Sequence, residues 1–105
     1  TPSALIEKII EINPKMGTKV KSELAKFNPH IVINQARNQA DIDIGHSVKS
    51  ISRRYFGLNM EYAGFLDYDP TVWQSVKKRK PLLMEYPNSP LVSNFEKIVN
   101  KLLAL

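Results

Sequence analysis

Apolar positions along this chain follow a helical period first and a strand period afterwards. Leu5, Ile9 and Ile12 share one face at helical spacing, and Met16, Val20, Leu24 and Phe27 repeat the pattern after Pro14. Each stretch begins with a capping residue and a proline, Thr1-Pro2 and Asn13-Pro14; a side-chain oxygen satisfies free backbone N–H groups and proline suits the first helical position. Gly17 weakens the second helix slightly, and Asn28-Pro29 closes it. Residues 1–29 therefore read as a helical hairpin with a very tight turn.

The period then changes. Ile31-Val32-Ile33 runs without a break into Asn34-Gln35-Ala36-Arg37, the pattern of a strand buried on both faces of a parallel sheet. Asn38 and Asp41 mark a helix start. Ile44, Val48, Ile51 and Tyr55 follow at i, i+4, i+7 and i+11, an expected buried stripe that Gly57 ends. Tyr62 to Leu66 is a second strand, running into Asp67-Tyr68-Asp69. It must lie parallel to the first, because a helical crossover joins them. Asp69-Pro70 opens a short helix with Val72, Trp73 and Val76 as its inner face. Pro81 to Met84 is a candidate short third strand. Ser89-Pro90 opens the last helix, with Leu91, Phe95, Ile98, Leu102 and Leu105 directed inward.

The fold class is thus α/β, a partial parallel sheet of two to three strands with about five helices. Parallel sheets that small seldom stand alone, so the unit reads as part of a larger sheet and is expected to self-associate. In open α/β sheets ligands bind outside the carboxyl ends of the strands, which here are Asn34 and the turn Asp67 to Asp69.

Composition narrows the chemistry. The 105 residues suffice for one small domain and include no cysteine, which removes disulfides, thiol nucleophiles and zinc ribbons. No apolar run approaches the ~20 residues that span a bilayer. The first residue, Thr1, is not methionine, and the segment reads as excised from a longer chain; a cytoplasmic location is expected. A net charge of +5, concentrated in Lys77-Lys78-Arg79-Lys80 and Arg53-Arg54, permits contact with nucleic acid or anionic lipid. The simpler account places these cations at helix ends, where the macrodipole favours them.

Several catalytic patterns are absent or incomplete. The four glycines are isolated, so no backbone loop can wrap phosphates, and the chain alone is not expected to hydrolyse a nucleotide. Asp41, Asp43 and His46 include one pair on a common helix face, Asp43 and His46, which is too few for a metal site. His30 is isolated. Asp67-Tyr68-Asp69-Pro70-Thr71 matches the D-x-D-x-T opening of haloacid-dehalogenase-type phosphatases, whose first Asp is the nucleophile. Only Glu85 and Glu96 follow as acids, and the simpler reading has Asp69 capping the helix after Pro70. Tyr62, Phe65 and Tyr68 do not form the stacking platform of a single-strand nucleic-acid binder.

Taken in order, Ile31 to Arg37, Gly64-Phe65-Leu66-Asp67-Tyr68-Asp69-Pro70-Thr71-Val72, Lys80-Pro81-Leu82-Leu83-Met84 and Ser89-Pro90 resemble the C-terminal half of the MinD/ParA/Mrp family of deviant Walker-A ATPases, in its MinD/FlhG-like branch. The resemblance implies a fragment of a P-loop NTPase-type three-layer fold. Residues 30–105 would be the C-terminal α/β portion of the ATPase domain, and residues 1–29 a branch-specific insertion. It further implies that Asn34 reads adenine, with Arg37, Asp67, Tyr68 and Asp69 around the base. Asp67 stands where the family usually has proline.

The implied parent is a positioning or partitioning regulator that binds ATP or ADP with magnesium. Its missing N-terminal half would supply the phosphate loop, and the isolated chain would hold no nucleotide tightly. Partners implied for the parent are a second copy, a protein partner, and a membrane surface or DNA. The alternative, drawn from the residues alone, is a small basic nucleic-acid- or protein-interaction module without a nucleotide. Asn34 itself has a second reading, in which its amide merely satisfies loop backbone groups as the chain leaves the sheet.

Overall fold

Capping and turn chemistry place most of the elements. In the computed structural model, which describes residues 2–104, the order is α1 (Pro2–Ile12), α2 (Pro14–Lys26), β1 (His30–Ala36), α3 (Gln39–Ile51) running into a π-helical turn (Ser52–Phe56), β2 (Glu61–Asp67), α4 (Thr71–Lys78), α5 (Leu82–Glu85) and α6 (Pro90–Leu103). The expected cap at Thr1 and the inward position of Leu105 lie outside the described residues. The chain is α/β, with six α-helices and a two-stranded sheet among the described residues. Glu61 N donates to Pro29 O at 3.0 Å and Tyr68 N to Ala36 O at 2.9 Å; the same offset at both ends (29 to 61, 36 to 68) makes the strands parallel and in constant register.

The chain divides into two compact units, residues 1–31 with 46–62 and residues 32–45 with 63–105. In the first, Asn13 Oδ1 accepts from Met16 N at 3.1 Å and starts α2 without a spacer. Gly17 is buried against α1, and a Cβ there would sit 2.6 Å from Ile10 Cα, so only glycine lets the helices approach this closely. That contact, rather than the apolar stripes, joins the hairpin. Leu5 and Ile12 are 62% and 77% exposed, Met16 and Phe27 are also exposed, and Ile9, Ile10, Val20 and Leu24 are half-buried. Tyr62 is buried with the His46 ring edge-on at 4.9 Å, and Lys49 Nζ lies 3.6 Å from a Glu61 carboxylate oxygen.

In the second unit, Leu91 and Ile98 of α6 are buried, as are Ala36 and Ala63 of the strands. Gly64 adopts φ 149°, and a Cβ there would meet Ile98 Cγ1 at 2.7 Å; the glycine lets α6 close on β2. Asn38 Oδ1 accepts from Asp41 N at 2.9 Å, while Asp41 Oδ2 reaches back to Arg37 N at 2.8 Å, a reciprocal cap that starts α3 where the sequence indicates.

Three expectations are corrected. β1 is not buried on both faces: Val32 is 42% exposed between half-buried Ile31 and Ile33, so the face that carries Val32 lacks the packed layer that buries a strand of a parallel sheet. The stripe Ile44, Val48, Ile51 and Tyr55 is not buried either; Val48 is half-buried and the other three are exposed, while Gly45 and Ser52 are the buried positions. Periodicity identifies an apolar face, but whether anything covers that face depends on the rest of the fold. Finally, Pro81 to Met84 is no strand. Met84 N and Glu85 N donate to Pro81 O and Tyr86 N donates to Leu82 O, which closes a helical turn that also brings Glu85 to Lys78. A four-residue apolar run carries too little period to separate the two outcomes.

Candidate ligand-binding site at the strand ends

Near their carboxyl ends both strands carry residues whose backbone is tied down within the second unit, although β1 runs on to Ala36, two residues past Asn34. Asn34 Oδ1 accepts from the Gln35 N–H at 2.9 Å, and Gln35 adopts φ 55°, a left-handed conformation uncommon for a residue with a side chain. At the end of β2, Asp67 N donates to Asn94 Oδ1 at 2.8 Å, and Asn94 is a buried side chain of α6. Asp69 Oδ1 accepts from Thr71 N at 2.9 Å, and Oδ2 accepts from Ser89 Oγ at 2.7 Å. Ser89 Oγ in turn caps α6 by accepting from Leu91 N at 3.2 Å. One carboxylate thus joins the starts of two helices. The Ser89 hydroxyl first, and then the Thr71 N–H, hold its pKa below the usual carboxylate value.

These residues surround a pocket of about 390 Å³. Asn34, Gln35 and Asp67 to Asp69 supply its polar rim, and Leu66, Pro70, Val72, Trp73, Val76, Leu82, Leu91 and Phe95 its apolar wall. Largely apolar walls with a few convergent polar groups are the usual make-up of a small-molecule site. The wall corrects another expectation. Val72, Trp73 and Val76 do not face a core: Trp73 is 63% and Val76 61% exposed, and Ser75 is the buried residue of α4, its Oγ donating to Val72 O at 2.7 Å.

Of the five residues picked out from the sequence, Asn34, Asp67, Tyr68 and Asp69 come together around this pocket. Arg37 does not line it. Its guanidinium lies 4.5 Å from the centre of the Tyr68 ring, in an adjoining recess formed with Ala36, Asp67 and Pro90. Sequence reasoning missed Asn94, Phe95 and the lining role of Trp73. A signal for Asn94 does exist, since it is a polar residue three positions after Leu91 and four before Ile98, on the buried face of α6.

The other candidates are otherwise engaged. Asp41 closes the α3 cap, Asp43 Oδ1 accepts from Gln39 Nε2 at 2.9 Å, and no group of three metal-binding side chains occurs among the described residues. In the basic run, Lys78 and Lys80 reach Glu85 at 3.2 and 3.9 Å, and Lys77 Nζ sits 5.2 Å over the Trp73 ring. Tyr86 first and then Glu85 raise the Lys78 pKa above its ordinary value. In the first unit a second recess of about 420 Å³ is bordered by Asn28, Lys49, Arg53, Asn59 and Glu61, with Lys49 already paired to Glu61. No helix among the described residues is long and apolar enough to cross a membrane.

Fold and geometry together define an α/β chain with an apolar-walled pocket beside the carboxyl-terminal residues of a parallel strand pair. Compared with protein-family models, curated proteins and solved structures, the chain finds no significant match.

Proposed function

We propose that this chain is the C-terminal part of a MinD/ParA-like ATPase and that the strand-end pocket is the adenine side of its nucleotide site. The observation that carries the reading is the convergence of Asn34 and the Asp67 to Asp69 turn, with Tyr68 in it, on one cavity near the carboxyl ends of the strands. The order of the sequence motifs from Ile31 to Pro90 supports it as well. Asn34 Oδ1 is taken by the Gln35 N–H, so its Nδ2 is the group that donates to a ring nitrogen of the base. Asp69 keeps the turn in place through Thr71 and Ser89. The phosphate loop and the magnesium ligands belong to the other half of the parent, a regulator of positioning or partitioning.

Asn34→Ala in the parent is expected to weaken ATP more than inorganic triphosphate, by ~1–3 kcal/mol for the loss of one buried amide contact. Calorimetric titration of both ligands checks it. Equal losses, or none with the fold intact, would make Asn34 a structural residue and remove the adenine assignment.

A further inference from the structure

Tyr68 borders two recesses. It lines the pocket, and it also lines the neighbouring recess with Arg37, whose guanidinium lies 4.5 Å from the centre of the Tyr68 ring and which does not line the pocket. The backbones of both residues are fixed. Tyr68 N closes the ladder on Ala36 O at 2.9 Å, one residue before Arg37, and Arg37 N is held by Asp41 Oδ2 at 2.8 Å. The residue before Tyr68 is anchored by Asn94. A half-exposed tyrosine at a strand mouth would otherwise sample several rotamers and lose that freedom on binding a ligand.

We propose that Arg37 is a positioning residue: it holds Tyr68 as a stacking wall for a neutral, planar heteroaromatic base and does not itself touch the ligand. A cation on one face of an aromatic ring draws electron density from the other face. That lowers the repulsion against an electron-rich base stacked there and disfavours a cationic ring. The inference rests on the reading of the strand-end pocket as a base site, and it names the element that recognises the base.

Adenosine titrated into the 105-residue chain, followed by the indole N–H resonance of Trp73, reports binding directly, because Trp73 is the single tryptophan and lines the same pocket. In the free chain the Arg37 Hδ protons are expected upfield of their ordinary position through the Tyr68 ring current, and Tyr68→Leu abolishes that shift. Arg37→Gln is expected to weaken adenosine roughly two- to five-fold, the scale of an exposed cation–π contact, with Arg37→Lys recovering part of the loss and Tyr68→Phe close to wild type. On a Tyr68→Leu background, Arg37→Gln should cost nothing further.

Additive losses would mean that Arg37 contacts the ligand directly and overturn the inference alone, as would a missing ring-current shift or an Arg37→Gln variant with unchanged affinity. A Trp73 resonance unmoved by adenosine at its solubility limit, with the ring-current shift intact, would overturn the base-site reading and this inference with it.

Discussion

Asp69 shows how one side chain sets the local structure that a site depends on. Both of its oxygens accept hydrogen bonds, from the Thr71 N–H and from the Ser89 hydroxyl, and these bonds favour the charged form. Because the folded pKa lies below the unfolded one, the stabilisation is fully present above the ordinary carboxylate range and is lost as pH falls through that range to the lowered folded value. Asp69→Ala should therefore lower the melting temperature near neutrality, and the gap to wild type should close on acidification. Thermal melts recorded as a function of pH test this, and a gap that stays constant into acid would show that the carboxylate charge is irrelevant. The sequence made Asp69 legible as a cap, since Pro70 follows it. It gave no sign of the bond to Ser89, which lies twenty positions away and meets it only through folding.

At the scale of elements, the ends were more legible than the faces. Asn13, Asn38, Gly57 and Ser89 act where local chemistry puts them, because a cap needs partners within a few residues of itself. The apolar faces of α3 and α4 are largely exposed, because burial needs a second surface that no local pattern contains. Gly64 marks the place where such a surface does exist. Gly64→Ala should destabilise the chain by ~1–3 kcal/mol, as its Cβ meets Ile98 and the backbone stays in a conformation that favours glycine. Urea unfolding measures it, and an unchanged midpoint would mean that α6 can shift to make room.

The basic end of α4 belongs to the same scale. Glu85 engages Lys78 and Lys80 and so offsets one of the four positive charges of Lys77 to Lys80. Only weak attraction to phosphates is expected, independent of sequence. A competition experiment at physiological salt that showed about tenfold or greater discrimination between DNA sequences would contradict this and favour a role as a nucleic-acid-reading module.

For the whole molecule, the imbalance of apolar surface matters most. Among the described residues the buried apolar side chains are Ala36, Tyr62, Ala63, Leu91 and Ile98, whereas Trp73, Val76, Met84, Ile51, Phe27 and Ile12 are among many large ones left exposed. Contiguous apolar surface and an unpaired strand edge favour association. The chain at tens of micromolar is expected to scatter light as a dimer or larger species, and a strictly monomeric, folded species would show that the six helices suffice alone.

By itself the sequence determined the α/β class, the parallel crossover, the helix starts and the two strand mouths, because these follow from period, caps and chain direction over short distances. Four of the five residues picked out from the sequence line one cavity, since residues near the carboxyl ends of adjacent parallel strands lie close together. Only the tertiary structure decided that Trp73 and Val76 line a pocket, that Asn94 fixes the end of β2, and that Arg37 lies against the Tyr68 ring without lining that pocket. Those outcomes depend on which element lies across from each face. That is set by contacts between residues far apart in the chain, among them a glycine closed upon by Ile98 and a serine that reaches Asp69.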